Sequence, residues 1–231
     1  MTGANRGIGL SFCQSYNKLG YTVYGICRTS SPALEQAVDV VLEDVDISKA
    51  EDCPALFNQF KAVRIDLLIN NAGILQNEIL GNLDFDSIAK QFQVNAIGAL
   101  RVTEGLLDNL SDHAKVAIIT SRMGSIADND SGGRYGYRMS KAAFNTAGKS
   151  LAMDLQPRGI AVAILHPGLV GTEMIGGNGD IAPDQAAERL PVRIEELNMS
   201  TTGTFWHSNG EVLPWWLALG WLDRILPDSS Q

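Results

Sequence analysis

Short apolar runs alternate along the chain with longer segments in which apolar residues recur at helical spacing. Runs such as LLIN, VAIIT and AVAIL are apolar at nearly every position, which is typical of strands covered on both faces of a parallel sheet. The runs predict strands at residues 21–27, 39–45, 65–70, 115–120, 160–165 and 203–207. The longer segments predict helices at residues 7–19, 52–63, 86–110, 137–156 and 183–197. Strands that alternate with helices are joined by right-handed crossovers, so the pattern predicts an α/β fold with a doubly wound parallel sheet.

Glycine and proline residues mark the ends of several of these elements. Gly20 and Gly159 follow the first and fourth predicted helices, where glycine is favoured. Pro191 falls inside the last predicted helix, and we expect it to interrupt or restart that helix because proline has no amide hydrogen. The chain has no internal repeat or polar linker, so we predict a single domain over residues 1–231 with a short apolar extension at 214–231.

The glycine-rich segment at the beginning of the chain lacks the strand that should precede it. A glycine-rich phosphate loop ordinarily follows a buried strand, whereas here the loop begins at Thr2. Either the sequence starts late or the protein has no such strand, and the usual first strand is in either case absent from the chain. Because loss of a central strand would expose two rows of unpaired backbone groups, we favour a late start.

Composition narrows the functional class. The chain is 45% hydrophobic and 19% charged, as expected of a globular domain. Its net charge of -8 argues against nucleic acid as a partner, because phosphate binding needs a basic face. Cys13, Cys27 and Cys53 have no metal-binding or redox spacing, so we expect reduced thiols. With no secretory signal and no apolar run of roughly 18 residues, the sequence predicts a cytoplasmic protein.

Four motifs follow one another along the chain: TGANRGIG at 2–9, NNAG at 70–73, YRMSK at 137–141 and HPGLVGT at 166–172. Their order and spacing resemble the short-chain dehydrogenase/reductase family over nearly the whole chain. The resemblance implies a Rossmann-type fold and hydride transfer between a nicotinamide cofactor and a carbonyl or alcohol. The segments TSRMGSIADNDSGG, YGYRMSKAA and GTFWHSNGEVLPW are similar to the C-factor and carbonyl-reductase-like branch of that family.

The resemblance also implies a cofactor site. Glycines allow the backbone to approach a pyrophosphate that sits on the amides of a helix N-terminus. Asp46 and Ile47 would contact adenine, although the nearby Asp44 leaves that register open, and Asn70 would brace strands without contacting the cofactor. The implied cofactor-binding residues are Gly3, Asn5, Arg6, Gly7, Ile8, Gly9, Arg28, Asp46, Ile47, Asn71, Ala72, Gly73, Tyr137, Lys141, Pro167, Gly168, Val170 and Thr172.

Two arginines favour NADP(H) over NAD(H). NAD-binding proteins of this fold place a carboxylate after the second strand, whereas NADP-binding proteins place an arginine there. The predicted strand 21–27 runs directly into Arg28 and the hydroxyls of Thr29 and Ser30. Arg28 can bind a 2′-phosphate through paired donors, and Arg6 can add a second positive charge. The alternative is that both arginines are solvated surface residues.

Tyr137 and Lys141 are the predicted centre of the chemistry. They are four residues apart and therefore share one helix face, whereas the fourth residue after Tyr135 is Met139. A phenol titrates near pH ~10, and an adjacent ammonium lowers its pKa. The resemblance adds Ser121, with Ser125 as the rival hydroxyl, to bind the substrate oxygen, and Asn95 to kink its helix and relay protons to Lys141.

The histidines are interpreted as structural. His166 stands at a strand end, where we expect it to pack, and neither His113 nor His207 has partners that would suggest a metal site.

The remaining segments bear on substrate and partners. Met174, Ile175 and Ile181 predict an apolar wall and a small apolar substrate, beside glycines that form either a hinge or an irregular loop. The apolar extension predicts a short packing helix, with membrane contact as the second choice. The family commonly pairs helices 86–110 and 137–156 between subunits, which implies a homodimer or homotetramer.

Two functions follow from these observations. The leading one is an NADP(H)-dependent oxidoreductase acting on carbonyls or alcohols, with Tyr137 as general acid and base. The alternative is a C-factor-like signalling or regulatory protein that binds the dinucleotide with little or no turnover. The four predicted catalytic residues favour the enzyme.

Overall fold

The computed structural model describes residues 1–215. All strands of this part run parallel, in two hydrogen-bonded groups ordered β1-β2 and β3-β4-β5-β6. The strands are β1 Tyr24–Ile26, β2 Val40–Leu42, β3 Ile65–Asn70, β4 Leu110–Ile119, β5 Ala161–His166 and β6 Phe205–His207. The α-helices are α1 Gly7–Lys18, α2 Pro32–Glu35, α3 Cys53–Asn58, α4 Phe85–Phe92, α5 Ala99–Gly105, α6 Tyr135–Asp154 and α7 Pro183–Glu196. The predicted α/β fold with a doubly wound, Rossmann-type parallel sheet is confirmed.

Met1 and Thr2 lie between the two groups of strands. The amide of Ile26 donates to the carbonyl of Met1 at 2.8 Å, and the amide of Thr2 donates to the carbonyl of Ile69 at 3.0 Å. In the described range, the position between β1 and β3, where the strand preceding the glycine-rich loop would lie, is occupied by these two residues alone. Behind them, a groove of about 620 Å³ separates β1 from β3.

The two faces of the sheet carry separate apolar cores. In β4, Val116 and Ile118 pack on one face, while Ala117 and Ile119 pack on the other. The first core includes Phe144 of α6, and the second contains side chains of α1 and α7. Burial of one such aliphatic side chain contributes about 1.5–3 kcal/mol. Because both faces are covered, these strands are apolar at successive positions, as the sequence pattern indicated.

The predicted interruption at Pro191 is wrong. Helix α7 continues through Pro191 from Pro183 to Glu196. The ring removes one backbone hydrogen bond, but Ala187, Leu190 and Ile194 on the same helix are buried in the core. Their burial on both sides of the proline outweighs the missing bond and keeps the helix continuous.

The predicted helix 86–110 is divided in the structure. A wide π-helical turn, Gln93–Gly98, separates α4 from α5, and Leu110 already belongs to β4. Strand β4 begins five residues before the predicted strand because Leu110 pairs with Ile65 across a register shift. His113 has a positive φ of 65° in this irregular part. The first residues of β4 are mostly polar, so the pattern of apolar residues did not predict a strand there.

Three further observations concern residues 1–215. Cys13, Cys27 and Cys53 are buried and free. None of the helices there is long and apolar enough to cross a membrane. No cluster of three or more potential metal ligands occurs in the same range.

Candidate active site

A cavity of about 810 Å³ opens at the carboxyl ends of the strands. The glycine-rich loop, the ends of β1 and β3, helix α6 and the segment after β5 surround it. The predicted cofactor residues on its wall are Gly3, Asn5, Arg6, Gly7, Ile8, Gly9, Arg28, Asp46, Ile47, Asn71, Ala72, Gly73, Tyr137, Lys141, Pro167 and Thr172. Gly168 and Val170 are not brought to this wall: Val170 is buried and pairs with Ile181, which also lies beside Gly168.

The glycine-rich loop is held close to the neighbouring backbone. A Cβ atom on Gly9 would lie 2.1 Å from the carbonyl oxygen of Gly3, so only glycine fits there. The side-chain amide of Asn71 donates to the carbonyls of Thr2 and Gly3 at 3.2 and 3.1 Å. This bracing fixes the loop as helix α1 begins at Gly7, and it leaves the helix N-terminus facing the cavity. Such a backbone cradle suits a pyrophosphate.

The outer end of the cavity carries both candidate arginines. Arg28 lines it beside Thr29, and Arg6 forms an exposed ion pair with Glu173 of the segment after β5. Asp46 also lines this end, whereas Asp44 does not, which favours the Asp46 register. Burial raises the pKa of Asp46, but hydrogen bonds from Ser48 and the charge of Arg28 outweigh it and leave the pKa below its ordinary value.

Tyr137 and Lys141 lie at the inner end of the cavity on the first turns of α6. Lys141 is buried, donates to the carbonyl of Ile119 at 3.0 Å, and lies 5.8 Å from the centre of the Tyr137 ring. Burial lowers the pKa of Lys141 to about 8. Burial also raises the pKa of Tyr137 to about 12, against the opposing effects of a hydrogen bond with Ser121 and the charge of Arg134. At neutral pH the phenol therefore holds its proton.

Asn95 lies in the π-helical turn Gln93–Gly98, which corresponds to the kink predicted for its helix. Its carboxamide oxygen accepts from the amide of Ile74 at 2.7 Å. Its nitrogen donates to the carbonyl of Ile74 and to the hydroxyl of Ser140, both at 2.9 Å. A Cβ atom on Gly73 would lie 3.3 Å from the Asn95 oxygen and 3.6 Å from the Lys141 nitrogen. Gly73 therefore leaves a narrow gap between Asn95 and Lys141.

The two candidate serines have different surroundings. Ser121 lies two residues after β4, its hydroxyl accepts from the amide of Met123 at 3.1 Å, and its polar side chain near the phenol lowers the pKa of Tyr137. The hydroxyl of Ser125 instead donates to the carbonyl of Pro214 at 2.6 Å and accepts from the amide of Asp128. Ser125 thus fixes the chain near Pro214, while Ser121 faces the phenol.

The histidines beside the site pack on each other. The rings of His166 and His207 meet edge to face, with their centres 4.9 Å apart. Burial, together with the nearby His207 and Arg122, lowers the pKa of His166 to about 3, so the ring is neutral. A neutral, packed His166 agrees with a structural role.

The segment after β5 forms one side of the opening. Met174 lines the cavity, and Ile181 pairs with Val170. Gly176 and Gly177 have positive φ angles of 67° and 79°, conformations that glycine adopts readily. The predicted packing helix and membrane contact of the C-terminal extension concern mainly residues 216–231, which lie outside the described range. Trp215, at the end of that range, packs on Phe205 with ring centres 5.4 Å apart.

Sequence reasoning missed part of the cavity wall. Ile74 follows the NNAG motif and Val94 precedes Asn95, so their positions beside known motifs were a usable signal. Glu173 directly follows the HPGLVGT motif and had the same signal, whereas Pro183 reaches the cavity only through the fold of the segment after β5. Glu78, which contacts the beginning of α6, was also missed.

Comparison with known proteins agrees with this architecture. The model of the family described as short chain dehydrogenase matches residues 1–180. The 1-hydroxy-2-glutathionyl-2-methyl-3-butene dehydrogenase of Rhodococcus sp. (strain AD45) is 38% identical over 93% of this chain and 98% of its own length. The C-signal protein of Myxococcus xanthus is 45% identical over 65% of this chain and 93% of its own.

A solved structure adds a comparison at the level of the fold. The crystal structure of NADPH-bound carbonyl reductase from chicken fatty liver has a TM-score of 0.80 at 26% identity, covering 93% of this chain and 97% of that one.

Proposed function

This chain belongs to the short-chain dehydrogenase family, in the branch of C-signal and the carbonyl reductases, and from that premise we propose an NADP(H)-dependent oxidoreductase. It interconverts a carbonyl and an alcohol, with Tyr137 as the general acid and base. The meeting of Tyr137, Lys141 and a glycine-rich cradle in one cavity is the observation that carries the proposal.

The residues around the cavity fit a dinucleotide. The cradle of Gly3, Gly7 and Gly9 suits the pyrophosphate, and Asp46 and Ile47 line the part of the cavity wall that we propose for adenine. Arg28 is exposed at the outer end, as needed to bind a 2′-phosphate. The NADPH-bound carbonyl reductase of similar fold supports the same choice of cofactor.

The bound nicotinamide would supply or accept the hydride. Ser121 and Tyr137 would donate hydrogen bonds to the carbonyl oxygen, which polarises the carbonyl and fixes its position. Since the pKa of Tyr137 is about 12, the phenol carries a proton ready to be given to the developing alkoxide. Lys141 would contact the nicotinamide ribose and help to replace the proton, with Asn95 holding the water of a relay.

Substitution of Tyr137 tests the scheme directly. We expect Tyr137→Phe to lower kcat by at least about 100-fold, as loss of a general acid does, with NADPH affinity within about threefold of the parent. Tyr135→Phe is the matched control, because Tyr135 lies two residues away on the same helix without a lysine four residues later. NADPH and NADH titrations followed by absorbance assays on carbonyls provide the measurements. Retained turnover in Tyr137→Phe, or no binding of either cofactor, would contradict the proposal.

The substrate we propose is a small, apolar carbonyl or alcohol. Ile74, Val94 and Met174 contribute apolar side chains to the cavity wall. The assay should compare small ketones and aldehydes with alcohols carrying a glutathionyl group, since the Rhodococcus relative is named for one. If the glutathionyl alcohols are turned over faster, they and not small apolar compounds are the substrate class.

A regulatory protein with little turnover is the second candidate, favoured by the 45% identity to C-signal. It predicts NADPH binding without oxidation of NADPH by any compound of the panel. The same assays therefore separate the two candidates.

A further inference from the structure

Glu78 carries a buried carboxylate that the scheme above does not use. It lies in the segment between β3 and α4, and only 3% of the residue surface is exposed. A carboxylate almost never occurs at this depth without partners, because its desolvation is costly. Its partners therefore indicate what it does.

Both oxygens of this carboxylate accept hydrogen bonds, and the donors belong to different elements. One oxygen accepts from the side-chain amide of Gln91 and from the hydroxyl of Ser87 on α4. The other accepts from the backbone amide of Gly136 at 3.1 Å, in the first turn of α6. The carbonyl of Glu78 also accepts from the amide of Arg134 at 3.1 Å. Glu78 thus joins α4 to the beginning of α6.

The beginning of α6 needs such an acceptor. The first amides of a helix have no partner within the helix, and the residue before α6, Arg134, provides no side-chain cap. The carboxylate of Glu78 supplies both an acceptor and a negative charge at the positive end of the helix dipole. Gly136 permits the approach, because a Cβ atom there would lie 2.5 Å from the Gln91 nitrogen.

We propose that Glu78 is a positioning residue that fixes the first turn of α6 and thereby the phenol of Tyr137. The proposal rests on the proposed function, in which Tyr137 is the proton donor. Gly136 is the neighbour of Tyr137 in the chain, and α4 leads directly into the turn that carries Asn95. Glu78 therefore sets the position of the phenol relative to Asn95 and the cofactor cavity.

The contacts require a carboxylate at position 78. Its three partners, Gln91, Ser87 and Gly136, all donate. Glutamine at position 78 would direct its own NH2 group at one of these donors. Gln91 cannot simply turn its amide round, because its oxygen already accepts from the amide of Gln76 at 3.0 Å.

Exchanging the side chains of Glu78 and Gln91 tests the proposal. We expect Glu78→Gln to lower kcat by about 10- to 100-fold, the effect of misplacing a reacting group, while KM and NADPH affinity stay within about threefold. In the double variant E78Q/Q91E, the amide now at position 78 can donate to the carboxylate now at position 91, while the amide oxygen still accepts from Gly136. We therefore expect kcat of the double variant to return within about threefold of the parent. Glu104→Gln, at an exposed position of α5, is the matched control.

The outcomes separate this proposal from the proposed function. Activity in Tyr137→Phe would remove the proposed function and, with it, the basis of this proposal. An inactive Tyr137→Phe with normal kcat in Glu78→Gln would overturn the role of Glu78 alone. Loss of NADPH binding in Glu78→Gln, or failure of the exchange to restore kcat, would also overturn it.

Discussion

Lys141 is a buried cation on the wall of the cavity, and its burial has a cost in stability. Within residues 1–215, the only hydrogen bond of its ammonium group is to the carbonyl of Ile119. Burial lowers its pKa to about 8, close enough to neutral pH for the ammonium to exchange protons with its surroundings. Burial also raises the pKa of Tyr137. The pKa values of the two residues are therefore shifted in opposite directions by the same cause.

We predict that Lys141→Met stabilises the fold while abolishing turnover. Between pH 8 and 10.5 the unfolded chain holds the lysine proton and the folded chain does not, so the free energy of unfolding rises with pH through that window. At pH 7 the methionine variant should gain up to about 3 kcal/mol. Urea unfolding at pH 7 and pH 10 measures the gain, which should shrink at the higher pH. Lys149→Met, exposed on the same helix, is the control, and a less stable Lys141→Met at pH 7 would contradict the prediction.

Arg28 is predicted to determine the preference for NADP(H). Arg28→Glu places a carboxylate where a 2′-phosphate would bind, so repulsion should weaken NADPH binding by at least about tenfold. NADH lacks that phosphate and should be affected much less. Fluorescence titration with both cofactors measures the ratio. Lys18→Glu, at the exposed end of α1, makes the same change of charge elsewhere, and an unchanged ratio in Arg28→Glu would exclude this role.

At the level of elements, strand β3 was predicted more accurately than the helical region that follows it. Strand β3 has the predicted bounds, since continuous apolar runs mark strands buried on both faces. The predicted helix 86–110 concealed a π-helical turn, and α2 was missed entirely. Both features depend on packing between elements, which hydrophobic periodicity does not record.

Pro191 offers a test of how packing overrides local preference. We predict that Pro191→Ala raises the free energy of unfolding by about 1–3 kcal/mol, because alanine restores an amide donor and removes the ring from the helix interior. Chemical denaturation measures the difference. Val192→Ala, on the exposed side of the same helix, should change stability little. A destabilised Pro191→Ala would show that the ring itself packs favourably.

For the whole molecule, several apolar side chains are exposed on two helical regions. Ile97, Leu100, Met139 and Met153 are all at least 36% exposed, and they lie on the helical region 93–105 and on α6. These are the helices that family members commonly pair between subunits. Several exposed apolar side chains on the same helices are typical of an association site.

We therefore predict a homodimer or homotetramer formed through these helices. Leu100→Glu should reduce the assembly, because it places a charge in the apolar contact. Light scattering coupled to size-exclusion chromatography measures the molar mass. Leu19→Glu, which is equally apolar in the parent and lies at the end of α1, is the control. A monomeric parent protein would contradict the prediction.

Features that depend on neighbouring residues could be predicted without a structure. The alternation of strands and helices, the glycine-rich loop and the spacing of Tyr137 and Lys141 all follow from local periodicity, since one helical turn brings residues four apart together. Three-dimensional packing was needed to show that the hydroxyl of Ser125 binds the carbonyl of Pro214, and that Pro191 remains within α7. The same holds for the carboxylate at position 78 that joins α4 to α6. These outcomes depend on which distant segments pack together, and burial then determines which polar groups find partners.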